Sequence, residues 1–251
     1  MTIVLAVLAG CGLLAAAGAA LYRALKHRHY KDTQYHKVTG NTRRDLINDV
    51  SKQSEYLIYS ALRSYEESGA RFLFNTYIPK AKGGTTEIDV LMITNRGIFV
   101  FESKSRYGWI EGSDTEKEWS QFLFRKDGTL IRNRIYNPVR QNHGHIAHLK
   151  KLIGGDVKMW SVIVFSDKTD IDRIKVSYPD TYVTKECDLA KVVGNIFWNA
   201  KRNITERDIT SIYFKLYQYA KVSDSEKEKH IEDIKHRYLS GKKLKGKKKV
   251  K

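Results

Sequence analysis

Two apolar runs, 90–93 and 98–101, stand either side of the short connection Thr94-Asn95-Arg96-Gly97, and they constrain this chain more than any other feature. Runs of that length, rich in Ile, Val and Phe and bounded by turn residues, read as strands, so the segment is a hairpin. With Asn95 and Arg96 as the central turn residues, Asp89 falls directly opposite Glu102. A three-residue loop would shift that register by one. Side chains at i and i+2 share a face, so Lys104 points the same way as Glu102. Two carboxylates and one ammonium then converge at one end of the hairpin. Such a set suits a hard divalent cation, Mg²⁺ or Mn²⁺, with Asp89 and Glu102 as oxygen ligands. Lys104 would orient a water or stabilise developing negative charge. A cross-strand ion pair at a wet sheet edge is the competing reading.

Around the hairpin the pattern alternates between helix and strand. Residues 43–67 carry an apolar stripe at helical spacing, with Thr42 or Asn41 as the cap. Strands are expected at 71–78, 86–94, 97–104, 109–112, 118–124, 158–165 and 181–184. Asn137-Pro138 opens a helix in the favoured arrangement of cap and first-turn proline, and Gly154-Gly155 stops it. Further helical patterns lie at 188–200, 206–220 and 226–238. The expectation is an α/β or α+β domain around a mixed sheet flanked by helices.

The first 26 residues are of another kind. From Thr2 to Tyr22 no side chain is charged, and some twenty apolar or small residues span about 30 Å as a helix, the thickness of a bilayer's hydrocarbon core. A cleaved signal peptide would want basic residues before the run, and none is there. Leu8-Ala9-Gly10-Cys11 resembles a lipoprotein-processing box, but the apolar run continues past Cys11. One N-terminal transmembrane helix is therefore expected. Arg23, Lys26, Arg28 and Lys31 crowd its C-terminal side, which leaves the rest of the chain in the cytoplasm of a single-pass membrane protein. The expected organisation is an anchor at 1–26, a basic juxtamembrane linker at 27–41, a folded domain with a helical extension at 42–239, and a disordered Lys-rich tail at 240–251.

Lys and Arg number 45 against 28 Asp and Glu, a formal charge of +17 that favours anionic partners. Seven lysines in the last eleven residues could meet nucleic-acid phosphates or anionic lipid, or merely keep the tail solvated. Two cysteines, one inside the apolar run, exclude a disulfide framework. His143, His145 and His148 do not make a zinc site, since only His145 and His148 share a helix face; they read as surface or supporting histidines. Trp109 and Trp119 read as core, and Glu111, Asp114, Glu116 and Glu118 as a solvated acidic loop. Arg140 and Gln141, in the first turn of the helix opened by Pro138, are placed to meet phosphate or a metal's water shell.

Residues 51–149 resemble the nuclease-related domain family, a branch of the restriction-endonuclease-like PD-(D/E)XK superfamily. The resemblance rests on Glu55, Thr86-Glu87-Ile88-Asp89, Gly97 through Lys104, Gly108-Trp109-Ile110-Glu111-Gly112, Trp119, and Asn137-Pro138-Val139-Arg140-Gln141-Asn142 with His145. It departs from the superfamily name at Ile88, where Pro is nominal, and Ser103 and Ser105 flank Lys104 where Thr and Asn are more usual. The resemblance implies a Mg²⁺-dependent site that hydrolyses phosphodiester bonds in DNA or RNA. Asp89 and Glu102 would be its metal ligands, Lys104 its water-positioning residue and Glu55 the helix-borne acid completing it. The alternative is a module of the same fold, catalytically weak or inactive, that binds nucleic acid or a partner at the membrane.

Overall fold

The computed structural model describes residues 29–80, 83–202, 204–223, 225, 228–230 and 232. The expected transmembrane run, most of the helical pattern at 226–238 and the Lys-rich tail lie outside them. Among the described residues no helix is long and apolar enough to cross a membrane.

Two sheets, both mixed, replace the single sheet expected. The larger has the order β1 (Arg71–Pro79), β2 (Thr85–Thr94), β3 (Gly97–Lys104), β7 (Met159–Phe165), β9 (Thr181–Lys185). The smaller has the order β6 (Leu130–Tyr136), β5 (Glu118–Phe124), β4 (Gly108–Ser113), β8 (Thr169–Lys175). Strands β6 and β8 escape the sequence reading for one reason. Leu130, Arg132, Arg134 and Tyr136 all stand exposed on β6, and β8 is mostly charged, so neither shows the apolar run of a buried strand.

The β2–β3 hairpin has the expected register, Thr94 opposite Gly97 and Val90 opposite Phe101. Gly97 is obligatory: its φ is +117°, and a Cβ there would sit 2.4 Å from the Lys158 carbonyl oxygen. From Lys104 the chain leaves to build β4, β5 and β6. It returns through α4 (Pro138–Ile153) to lay β7 parallel to β3. Because α4 runs back along the sheet, its first turn lies at the Lys104 end of β3. Asn142 pins it there, donating from its amide to the Val100 carbonyl (2.8 Å) and to Ser161 Oγ (2.9 Å).

N-terminal to the sheet, the single helix expected over 43–67 is three pieces. These are α2 (Arg43–Asn48), α3 (Val50–Leu62) and a 3-10 turn (Arg63–Ser68). The break is Asp49, which is extended (φ −130°, ψ 110°) and accepts from the Ser51 and Lys52 amides, capping α3 instead of continuing α2. Thr42 caps α2 in a reciprocal box with Asp45.

The expected linker is not one over its described part. Residues 29–32 are helical, α1 spans Gln34–Thr39, and Tyr30, Tyr35 and Val38 join the core. Tyr35 is fully buried with its ring edge-on to Phe74, centroids 4.8 Å apart. The polar composition of 27–41 concealed this, because tyrosine buries a large apolar body behind a polar tip. Truncating Tyr35 to Ala is expected to cost about 3 kcal/mol or more, on the scale of buried aromatic deletions, against under about 0.5 for a linker residue. Urea melts of the two chains read this directly, and an unchanged midpoint would restore the linker.

Two further helices, α5 (Leu189–Asn199) and α6 (Glu206–Ala220), complete the described fold, with α6 packed on β1. The main core lies between the larger sheet and its helices. A second cluster of Ile110, Trp119, Ile135, Val139, Ile163 and Phe165 joins the two sheets.

Candidate active site

The Lys104 end of the hairpin opens into a cleft of about 760 Å³, and all five expected site residues line it: Glu55, Asp89, Glu102, Lys104 and Gln141. Each arrives by a different local route. Asp89 and Glu102 lie one residue beyond the last ladder pair, Val90 opposite Phe101, so the turn's register brings both to the same end of the hairpin. Glu55 comes from the inner face of α3 and is 4% exposed, so it is not a solvated helix glutamate. Gln141 comes from the first turn of α4, where Pro138 and the Asn137 cap start the helix.

Glu102 is the centre of the arrangement and is 1% exposed. One oxygen, Oε1, accepts from Lys104 Nζ; the other, Oε2, lies 3.1 Å from His145 Nε2. Lys104 Nζ also reaches Gln141 Oε1 at 3.3 Å. His145 is held in turn through Nδ1, 2.9 Å from Thr86 Oγ1. Asp89 Oδ2 accepts from the Ser103 backbone amide at 2.7 Å, and Glu55 Oε2 accepts from Asn75 Nδ2 at 2.7 Å.

The charges do not balance. Burial pushes the Asp89 carboxyl well above its ordinary range, and the Glu102 charge adds to it, against the opposing pull of Lys104 and the Ser103 N–H. Burial and then the Asp89 charge raise Glu55 in the same way, while Asn75 opposes them. For Glu102 burial also raises, but Lys104 and His145 together outweigh it and hold the group below its usual value. Lys104 is raised, its burial outweighed by Glu102 and Asp89.

These shifts predict the behaviour of metal-free protein. A carboxyl whose folded pKa stands above its unfolded value contributes stability below that value and loses it as pH rises through the folded one. Asp89→Asn is therefore expected to melt higher than wild type in EDTA at about pH 8, the gain fading toward about pH 4, the unfolded value. Melts across that window measure it. Equal midpoints at the alkaline end would show that Asp89 carries no unfavourable charge.

Such a set fits a hard divalent cation. Its donors are carboxylate oxygens. The cleft is lined by Asp49, Glu55, Glu87, Asp89 and Glu102 against Lys52, Lys104 and Arg106, an acidic balance in a basic chain. Among the described residues no three His, Cys, Asp or Glu side chains form a cluster that could hold a metal by themselves. The histidines do not converge: His143 turns to Thr181 (2.8 Å) while His145 serves Glu102.

Other expectations are corrected. Arg140 does not line the cleft; one position before Gln141 and so turned about 100° around the helix from it, it is exposed and reaches the Thr115 carbonyl at 3.5 Å. The acidic stretch is not a solvated loop. Asp114 is buried and accepts from the Ser177 hydroxyl (3.0 Å) and the Tyr178 amide (2.8 Å), while Glu111 and Glu118, on β4 and β5, pair with Arg173 and Arg134. Trp119 is core, but Trp109 is only half-buried and stacks on Phe122, centroids 5.2 Å apart. Asn75 was missed, although a polar residue interrupting the apolar run of β1 was a visible signal.

An acidic pair and a lysine at neighbouring strand ends, on a mixed sheet flanked by helices, is consistent with the PD-(D/E)XK class of nuclease folds. Residues 51–166 match the nuclease-related domain family. An uncharacterised protein of Bacillus anthracis is 28% identical over 188 residues, covering 74% of this chain and 84% of that protein. No solved structure gives a significant match.

Proposed function

We propose that this chain is a membrane-anchored nuclease that hydrolyses phosphodiester bonds in DNA or RNA with the help of Mg²⁺ or Mn²⁺, its domain facing the cytoplasm. The observation that carries the reading is the meeting of Asp89, Glu102, Lys104, Gln141 and Glu55 in one cleft. Asp89 and Glu102 would hold the cation, which when bound neutralises phosphate charge and lowers the pKa of a water. Lys104, already poised between Glu102 and Gln141, would place its ammonium against the attacking water or the phosphoryl oxygens. His145 fixes the Glu102 carboxylate by taking its second oxygen. The uncharged run 2–22 and the basic residues after it support the anchor and its orientation, and the Lys-rich tail supports contact with phosphates or anionic lipid.

One observation favours the alternative, a nuclease fold that only binds: each Glu102 oxygen already has a protein partner, Lys104 on one and His145 on the other. The two readings part on one experiment. The full chain in detergent is incubated with supercoiled plasmid, single-stranded DNA and RNA, with Mg²⁺, Mn²⁺ or EDTA. Cutting that requires the cation supports the enzyme and names its substrate. Retained nucleic-acid binding with no cutting under any condition supports the binding module.

A further inference from the structure

Strand β1 contains a break that its neighbours do not explain. Its antiparallel ladder with β2 runs from Arg71 opposite Ile93 to Phe74 opposite Val90, then resumes in the same register at Thr76 opposite Ile88. The pair it skips is Asn75 and Asp89. Asn75 has φ +48°, in the left-handed region, where a residue with a Cβ is disfavoured and Asn is among the few that enter. Strain of this kind persists only where surrounding structure compels it, and it gathers at functional sites.

The consequence of the break is visible in the cleft. Asn75 lines it, and its amide donates to Glu55 Oε2 at 2.7 Å. A polar side chain of β1, level with Asp89, thus reaches across to a buried carboxylate on α3. Without that donor Glu55 would be a buried acid facing the Asp89 charge with nothing to fix its rotamer.

We propose that Asn75 is a positioning residue: the left-handed kink in β1 aims its amide at Glu55 and holds that carboxylate in the cleft beside Asp89. This rests on the nuclease reading given above and adds to it a residue acting through Glu55. It also explains why β1 gives up a ladder position at that level of the sheet.

Asn75→Gly separates this role from a structural one, because glycine adopts φ +48° freely and lacks the amide. The full-length variant is expected to melt in EDTA within a few degrees of wild type, while kcat falls about 10- to 100-fold with little change in KM, the usual loss for a partner that orients a site carboxylate. In a Glu55→Gln background the same change should cost nothing further, since the partner it positions is gone. Asn75→Asp, which sets a second carboxylate against Glu55, should lose at least as much as Asn75→Gly. A Mn²⁺ titration by calorimetry gives a readout apart from turnover, with Asn75→Gly binding roughly ten-fold more weakly.

Wild-type cleavage by Asn75→Gly, or an undiminished loss in the Glu55→Gln background, overturns the positioning role and leaves the nuclease reading standing. A wild-type chain that binds Mn²⁺ but cuts nothing defeats the nuclease reading instead. The positioning role is then decided by whether Asn75→Gly weakens Mn²⁺ binding. No Mn²⁺ binding by wild type ends both.

Discussion

Lys104→Ala is expected to lower the cleavage rate by about 10²–10³-fold while leaving the fold intact, the loss seen when one preorganised donor to developing charge is removed. The expectation follows from its place: the ammonium is the cationic group among the five converging residues, held against Glu102 and 3.3 Å from Gln141. Asp89→Ala should cost as much or more. Removing a proposed metal ligand would forfeit several kcal/mol of charge stabilisation, and each 1.36 kcal/mol is about a factor of ten in rate. The two variants should differ in stability in opposite senses. Losing Lys104 leaves Glu102 with His145 as its one remaining partner, whereas losing Asp89 relieves a raised, buried carboxyl. Single-turnover cleavage beside thermal melts in EDTA measures both. Full activity in Lys104→Ala would mean that the lysine serves only its ion pair.

Trp119→Ala should produce the largest loss of stability, about 3–5 kcal/mol, or roughly 6–20 °C in midpoint for a domain of this size. Trp119 is 0% exposed, stacks against Phe165 and donates from its indole to the Ser113 carbonyl at 2.7 Å. It therefore ties β5 to the start of the β4–β5 loop and bridges the two sheets in one contact set. Gly112 is shaped around it: a Cβ at Gly112 would lie 2.2 Å from Trp119 Cδ1. Because the smaller sheet is entered directly from the Lys104 end of β3, its loosening should also reduce cleavage. Denaturant titration of the variant gives the number, and a loss under about 1 kcal/mol would show that the second core is not cooperative with the first.

How much of the site the amino-acid order reveals can be judged residue by residue. Asp89, Glu102 and Lys104 were legible because a tight turn fixes register and alternation fixes facing, both over a few residues of chain. Gln141 was legible because proline and a capping asparagine mark a helix start. Asn75 and His145 were not legible as partners of Glu55 and Glu102. Their pairings span 20 and 43 positions and depend on where α3 and α4 settle on the sheet.

The same division runs through the fold. By itself the sequence determined the hairpin, its register, the start and stop of α4 and α6, and the convergence of two carboxylates with a lysine, since each follows from local periodicity and turn chemistry. Only the tertiary structure decided that 29–41 folds into the core, that β6 and β8 complete a second sheet, and that Glu55 faces Asp89. Those outcomes depend on which distant surface covers a half-polar segment, and burial of that kind is a property of packed elements that no short stretch of chain encodes.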